Sequence, residues 1–198
     1  IVGVLAGMRE GSKTDRTLST ASIMTTATPE YVSGVIFIAV FASSAVGLKW
    51  FKGTATSAME DANFENFFLP VMTIALYGMG YIARMTRASM LSVLSADFIR
   101  TARASGLSRG TVLVTYALRN ALLPVVTTLG MVFGFMLGSS VIVEKVFGWP
   151  GVGSYAIDAL TASDYAPVQG FVLAMGVVFV LLNLFVDLLY GLIDPRAE

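Results

Sequence analysis

The sequence predicts an all-α membrane protein, a polytopic helical bundle of about four complete spans plus the end of a truncated upstream span. Three observations predict it. The chain is 56% hydrophobic and 13% charged, where a soluble domain carries about 25% charged residues. Segments 66–83 and 120–143 hold no charged residue, and runs near the roughly 20 residues that carry a helix across a bilayer read as spans. Between these runs lie Arg84, Arg87, Arg100, Arg103, Arg109 and Arg119, with Asp97 as the only acid. Basic residues gather in cytoplasmic loops, so this segment faces inward. Its apolar flanks argue against nucleic acid as the partner of the arginines.

Taken in order, Ile1–Gly7 reads as the cytoplasmic end of a helix whose upstream part lies outside the sequence, because it is apolar but too short to span. Arg9 to Arg16 then forms a short polar loop. The first complete span starts near Thr17, ends near Val46 and contains the uncharged stretch 31–48, with Pro29 bending it by removing a backbone donor. The second is about 67–83, the third about 120–143 and the fourth about 167–190. Segments 47–66 and 144–167 lie outside; 9–16, 84–119 and the tail lie inside. That threading puts ten of the 13 basic residues in the cytosol and the C-terminus with them.

Composition also limits the chemistry. There is no cysteine and no histidine, which removes disulfides, thiol catalysis and the commonest metal ligands. The ten methionines are scattered, as packing residues are. No Gly-x-x-x-x-Gly-Lys-Ser/Thr loop is present to cradle a nucleotide, and no nucleophile–base pair suggests an enzyme. A secondary transporter driven by an ion gradient needs intramembrane charges; Glu30 and Asp187 are the candidates. No charged ring suggests an ion filter.

Two connections carry more than chain. In the inner one, 97–109 reads as a short helix, with Asp97 at its positive dipole end and Gly106 ending it. Phe98, Thr101, Ala102 and Ser105 share a face at helical spacing. Such a helix either docks in a groove on another protein or lies on lipid headgroups, and periodicity does not separate the two. In the outer one, about 144–167, Phe147-Gly148-Trp149-Pro150-Gly151 offers interfacial aromatic anchors among irregular backbone. The readings there are contact with an external protein, a lid on a pathway, or a helix that seats the bundle. Gly130, Gly134 and Gly138 recur on one helical face, where small residues admit close packing, or alternatively line a pathway. Asp187 near the end of the last span calls for a basic partner, and Arg84 or Arg87 on the same side would supply it.

The ordered motifs are similar to a known family. Arg100-Thr101-Ala102-Arg103-Ala104-Ser105-Gly106-Leu107 followed by Ala117-Leu118-Arg119-Asn120-Ala121-Leu122-Leu123-Pro124-Val125-Val126 closely resembles the permeases of ABC importers, in the dipeptide/oligopeptide/nickel branch. Residues 81–90, 146–153 and 193–196 match as well. The general Glu-Ala-Ala element is replaced by Arg100-Thr101-Ala102, and Leu123-Pro124 lies further from Gly106 than usual; that branch commonly shows both departures. The resemblance implies one permease domain over 1–198, of the type I importer kind, in the bacterial inner membrane, without catalysis of its own. It implies a second homologous permease, two ATPase subunits that hold ATP and magnesium, and an extracytoplasmic solute-binding protein. By the same resemblance Asp97, Phe98, Arg100 to Leu107 form the ATPase-coupling element, and a solute is moved inward by alternating access; a peptide is the first candidate, with nickel, sugar and other solutes left open because the external binding protein selects the cargo.

Overall fold

The computed structural model describes residues 1–44, 47–53 and 63–193. Glu60, Asp61 and the closing Asp194-Pro195-Arg196, which entered the sequence reading, lie outside the described residues. Helices make up the ordered elements: α1 (Val2–Met8), α2 (Lys13–Ala27), α3 (Glu30–Phe37) with a π-helical extension (Ile38–Ala42), α4 (Phe64–Leu94), α5 (Asp97–Ala104), α6 (Arg109–Thr111), a π-helical stretch (Val112–Leu118), α7 (Arg119–Val146), α8 (Val152–Thr161) and α9 (Tyr165–Ile193). From Arg109 to Val146 the helix is continuous over 38 residues.

Three helices are long and apolar enough to cross a membrane, Phe64–Leu94, Arg109–Val146 and Tyr165–Leu192; a fourth exists if α2 and α3 count together. The expected first span is therefore two helices. Thr28 and Pro29 separate them, and Pro29 takes an extended ψ of 142° as the N-cap of α3. Pro cannot continue the α2 ladder, so the chain starts a new helix after it. Pro70 and Pro124, by contrast, sit inside α4 and α7. Near them Thr73 Oγ1 donates to the Leu69 carbonyl (2.8 Å) and Thr128 Oγ1 to the Pro124 carbonyl (2.7 Å), so each hydroxyl finds its acceptor within its own helix. The inner loop is shorter than 84–119, because α4 runs on past its arginines to Leu94 and the next long helix starts at Arg109.

The chain divides into two compact units. The first comprises Ile1–Thr25, Met79–Val132 and Leu182–Glu198; the second comprises Thr26–Gly78 and Phe133–Leu181. In the first, Met90, Ile99, Ala102, Val112, Ala117 and Ala121 form the core. Gly3 and Gly7 let α1 lie directly on α4: a Cβ on Gly3 would strike the Ala83 carbonyl oxygen and Thr86, and one on Gly7 would come within 2.7 Å of Met90 Cβ. Ser89 Oγ donates to the Ala121 carbonyl at 2.7 Å, joining α4 to α7. In the second unit, Leu69, Val143 and Phe147 form the core, flanked by Phe37, Phe41, Phe51 and Phe68. Phe51 stacks on Phe68 with centroids 4.5 Å apart, and Phe67 meets Trp149 edge-on at 4.4 Å.

Candidate functional site

The segment between the long helices is built as a small braced unit. Ala96 is extended, Asp97 opens α5, and Gly106 ends it at a φ of +79° that a side chain would strain. Leu107 N–H donates to the Ala102 carbonyl (3.4 Å) and Gly106 N–H to the Arg103 carbonyl (3.1 Å), the two bonds of a Schellman C-cap. Ser108 Oγ then accepts the Thr111 N–H (3.2 Å) and starts α6. The acid at the start and the glycine at the end are the local signals the sequence offers for this helix, which closes at Ala104, with α6 starting anew at Arg109.

Its faces are a different matter. Ile99 and Ala102 point into the core against Met90, Val112, Ala117 and Ala121. Asp97, Arg100, Thr101, Ala104 and Ser105 are exposed. The expected docking face of Phe98, Thr101, Ala102 and Ser105 is therefore corrected: Ala102 belongs to the buried side. Periodicity marked which residues lie together; it did not mark which side the core takes, and small Ala102 fits a tight inward contact as well as an outward one. The exposed side is mixed: Phe98 is exposed, Arg100 Nη1 lies 3.5 Å from Asp97, and the Thr101 and Ser105 hydroxyls bond back to carbonyls of α5.

The expected pairing of Asp187 with Arg84 or Arg87 is also corrected. Arg87 donates from Nε (2.5 Å) and Nη2 (2.8 Å) to the two carboxylate oxygens of Asp15. Asp15 further accepts the Gly11 N–H (3.0 Å) and the Ser19 hydroxyl (3.2 Å), and it is 3% exposed. Arg84 is exposed and places its guanidinium 5.6 Å from the Tyr81 ring centroid. Asp187 is exposed on α9. The competition was decided by geometry: Asp15 opens α2, with its own N–H on Ser12 Oγ (3.1 Å), and offers a bidentate acceptor where α4 passes. Sequence reading missed Asp15 by assigning it to a loop. The signal was there in Ser12-x-x-Asp15, a helix-starting pattern.

The glycine face divides. A Cβ at Gly130 would lie 3.1 Å from Asn183 Oδ1, and one at Gly134 would run into the Phe179 ring, so each packs on α9 within its own unit. Gly138 has nothing within 4 Å, which corrects its assignment to the packed face. In the outer connection Phe147 is not an interfacial anchor: it is 1% exposed, in the core of the second unit. Trp149 is half-buried on Phe67, while Gly148, at a φ of +59°, and Pro150 are exposed. Glu144, which sequence reading passed over, organises the turn. Its carboxylate accepts the Ser154 N–H at 2.7 Å near the start of α8 and occupies the space a Gly151 side chain would need. Lys145 bonds Asp158 at 2.5 Å.

Among the described residues no group of three or more acidic side chains is arranged to hold a metal. What the geometry offers is mechanical: a short helix with one side exposed and the other packed on residues at the ends of two long apolar helices. The family described as "Binding-protein-dependent transport system inner membrane component" matches residues 1–198. The chain is 40% identical, over a 222-residue alignment, to the dipeptide transport system permease protein DppB of Escherichia coli (strain K12), covering 100% of this chain and 65% of that protein. It is 38% identical over 196 residues to the glutathione transport system permease protein GsiC of the same strain, covering 99% of this chain and 61% of the relative. GsiC of Shigella dysenteriae serotype 1 (strain Sd197) matches equally. The chain thus spans less than two thirds of the length of these relatives.

Proposed function

This chain belongs to the binding-protein-dependent transport inner membrane components, the permeases of ABC importers, and from that premise we propose that it forms part of the membrane channel of an ATP-driven peptide importer. The observation that carries the reading is the family match over the whole chain together with an exposed, braced α5 between two spans. Relatives named for dipeptide and glutathione transport support a short peptide as the solute. The ATP would be bound by separate ATPase subunits, the solute delivered by an external binding protein, and the pathway completed by a second permease. The charge distribution supports a cytoplasmic C-terminus and an inner-membrane location.

In this reading the exposed side of α5, with Asp97, Arg100, Thr101 and Ala104, seats on the ATPase. The buried side, Ile99 and Ala102, transmits movement to the α4 and α7 ends through the shared core. Two arrangements of such a braced element give alternating access. The ion-gradient alternative has Glu30 and Asp187 as its coupling acids: Asp187 is exposed on α9, Glu30 opens α3 with one carboxylate oxygen buried, and the match to binding-protein-dependent permeases favours the ATP-driven reading over two acids alone.

Thr101→Trp tests it, because Thr101 is exposed and the bulk disturbs docking without touching the core. The variant is expected to insert normally yet lose at least tenfold in peptide-stimulated ATP turnover by the reconstituted transporter, roughly 1.4 kcal/mol of coupling. Unchanged turnover and uptake would refute docking through this face.

A further inference from the structure

Glu30 opens α3, and its side chain is half-buried with Oε1 enclosed; among the described residues no donor reaches that oxygen. The residue lies on the packed side of its helix. Glu30, Gly34 and Phe37 share a face at helical spacing. A Cβ on Gly34 would meet Phe147, Val146 and Thr73 within 3.5 Å, and Phe37 packs on the core of Leu69, Val143 and Phe147. Tyr31, Val35 and Ile36 make the exposed side instead. Depth follows from register. The Phe41 carbonyl accepts the Phe51 N–H (3.2 Å), and Phe51 stacks on Phe68, so α3 runs against α4, from the level of Thr73 toward that of Phe68. Glu30 is one turn before Gly34, and Tyr77 is one turn after Thr73 on the same face of α4. Acid and ring therefore stand at a common depth inside the uncharged run 66–83. Tyr77 in turn stacks on Phe135 of α7, and all of these residues belong to the second unit. A buried carboxylate oxygen without a donor is costly, and an inward-facing acid at membrane depth marks a path for solute or ion.

We propose that Glu30, with the Tyr77 and Phe135 rings, takes up a primary ammonium, the α-amino group of the peptide solute. An ammonium brings three donors to a carboxylate that lacks one, and ring faces hold a cation. A divalent metal ion would need several oxygen ligands, and among the described residues no group of three or more acidic side chains is arranged for one. A lysine from a second permease would arrive at the exposed side of α3, which points away from Glu30. The inference rests on the peptide-importer reading of this chain.

The experiment is saturation-transfer NMR of the purified transporter, without nucleotide or binding protein. Alanyl-alanine is the probe, its N-acetyl form the control that lacks the charge, and an equal concentration of sodium chloride the competitor. Alanyl-alanine is expected to gain signal where the acetylated form does not. Glu30→Gln should weaken its binding roughly tenfold or more, as loss of a charge-assisted contact implies, and Glu30→Asp should keep more of it than Glu30→Gln. Tyr77→Leu, which leaves the acid in place, should weaken binding about threefold. No alanyl-alanine signal from the unaltered transporter, equal signals from both peptides, displacement by sodium, or unchanged binding in Glu30→Gln would each overturn the proposal. So would loss of the second permease from Glu30→Gln with alanyl-alanine binding intact, which would assign the oxygen to a partner's side chain. If Glu30→Gln does not assemble, Tyr77→Leu carries the test, since unchanged binding there also overturns the site. The assay uses no ATP, so it fails separately from the Thr101→Trp test of the importer reading, which reads ATP turnover.

Discussion

In the first unit the helices are joined through polar groups: Arg87 to Asp15, Ser89 to the Ala121 carbonyl, and Asn183 Oδ1 beside Gly130. In the second, beside the Glu144–Ser154 and Lys145–Asp158 bonds between α7 and α8, rings join the elements: Phe51 on Phe68, Phe67 on Trp149, Tyr77 on Phe135 at 5.2 Å, and Phe147 in the core. The first unit contains α5 and the arginine-rich segment, the second the outer connection. Directional bonds give a helix pair one partner and one register, while stacked rings mainly fill volume. In the unit that carries the candidate coupling helix, Arg87–Asp15 and Ser89–Ala121 fix the long helices by named donors and acceptors, while α5 itself is held by the apolar core.

The largest expected effect tests the polar side. Asp15→Leu leaves the Arg87 guanidinium without its bidentate partner and should cause the greatest loss of thermal midpoint of any single change considered. Arg87→Met in the same chain should recover much of it, because removing both charges is less costly than stranding one. Absence of recovery would mean that Asp15 acts through Gly11 and Ser19 instead. On the aromatic side, Phe147→Ala should cost about 3–5 kcal/mol through the cavity it leaves. Because shape and not pairing is lost, a second apolar-to-small change beside it should add to the damage; chemical denaturation of the detergent-purified protein measures both. The smallest effect separates glycines of one stripe. Gly134→Leu should cost about 1–3 kcal/mol by overpacking against Phe179, while Gly138→Leu should stay within about 0.5 kcal/mol, as at an open site. Equal effects in a thermal-shift measurement would show that the stripe packs as a whole.

Much of this was legible in the sequence, for reasons that differ by residue. Uncharged runs located the long apolar helices because hydropathy is a property of the segment itself. Asp97 and Gly106 bounded α5 because caps are local. Phe147 misled, since an aromatic among Gly, Trp and Pro resembles an interfacial anchor, and only the arrival of Leu69 and Val143 makes it core. Ala102 and Asp187 failed for the same reason: which side a helix buries, and which charge meets which, depends on elements distant in sequence. The Asp15–Arg87 pair spans 72 positions, beyond any periodicity.

The π-helical stretch from Val112 to Leu118 gives the chain a property that an unbroken α-helix would lack. A wide turn stores one surplus residue, and that surplus can travel. When it shifts along by a turn, the residues it passes rotate by one position, about 100°, while the ends stay where they were. Val112 and Ala117 are buried and Val114 is exposed within this stretch, so such a slide would exchange what the helix shows to the core for what it shows outside. Were the surplus residue to move, the segment next to α5 would turn in place with its ends held.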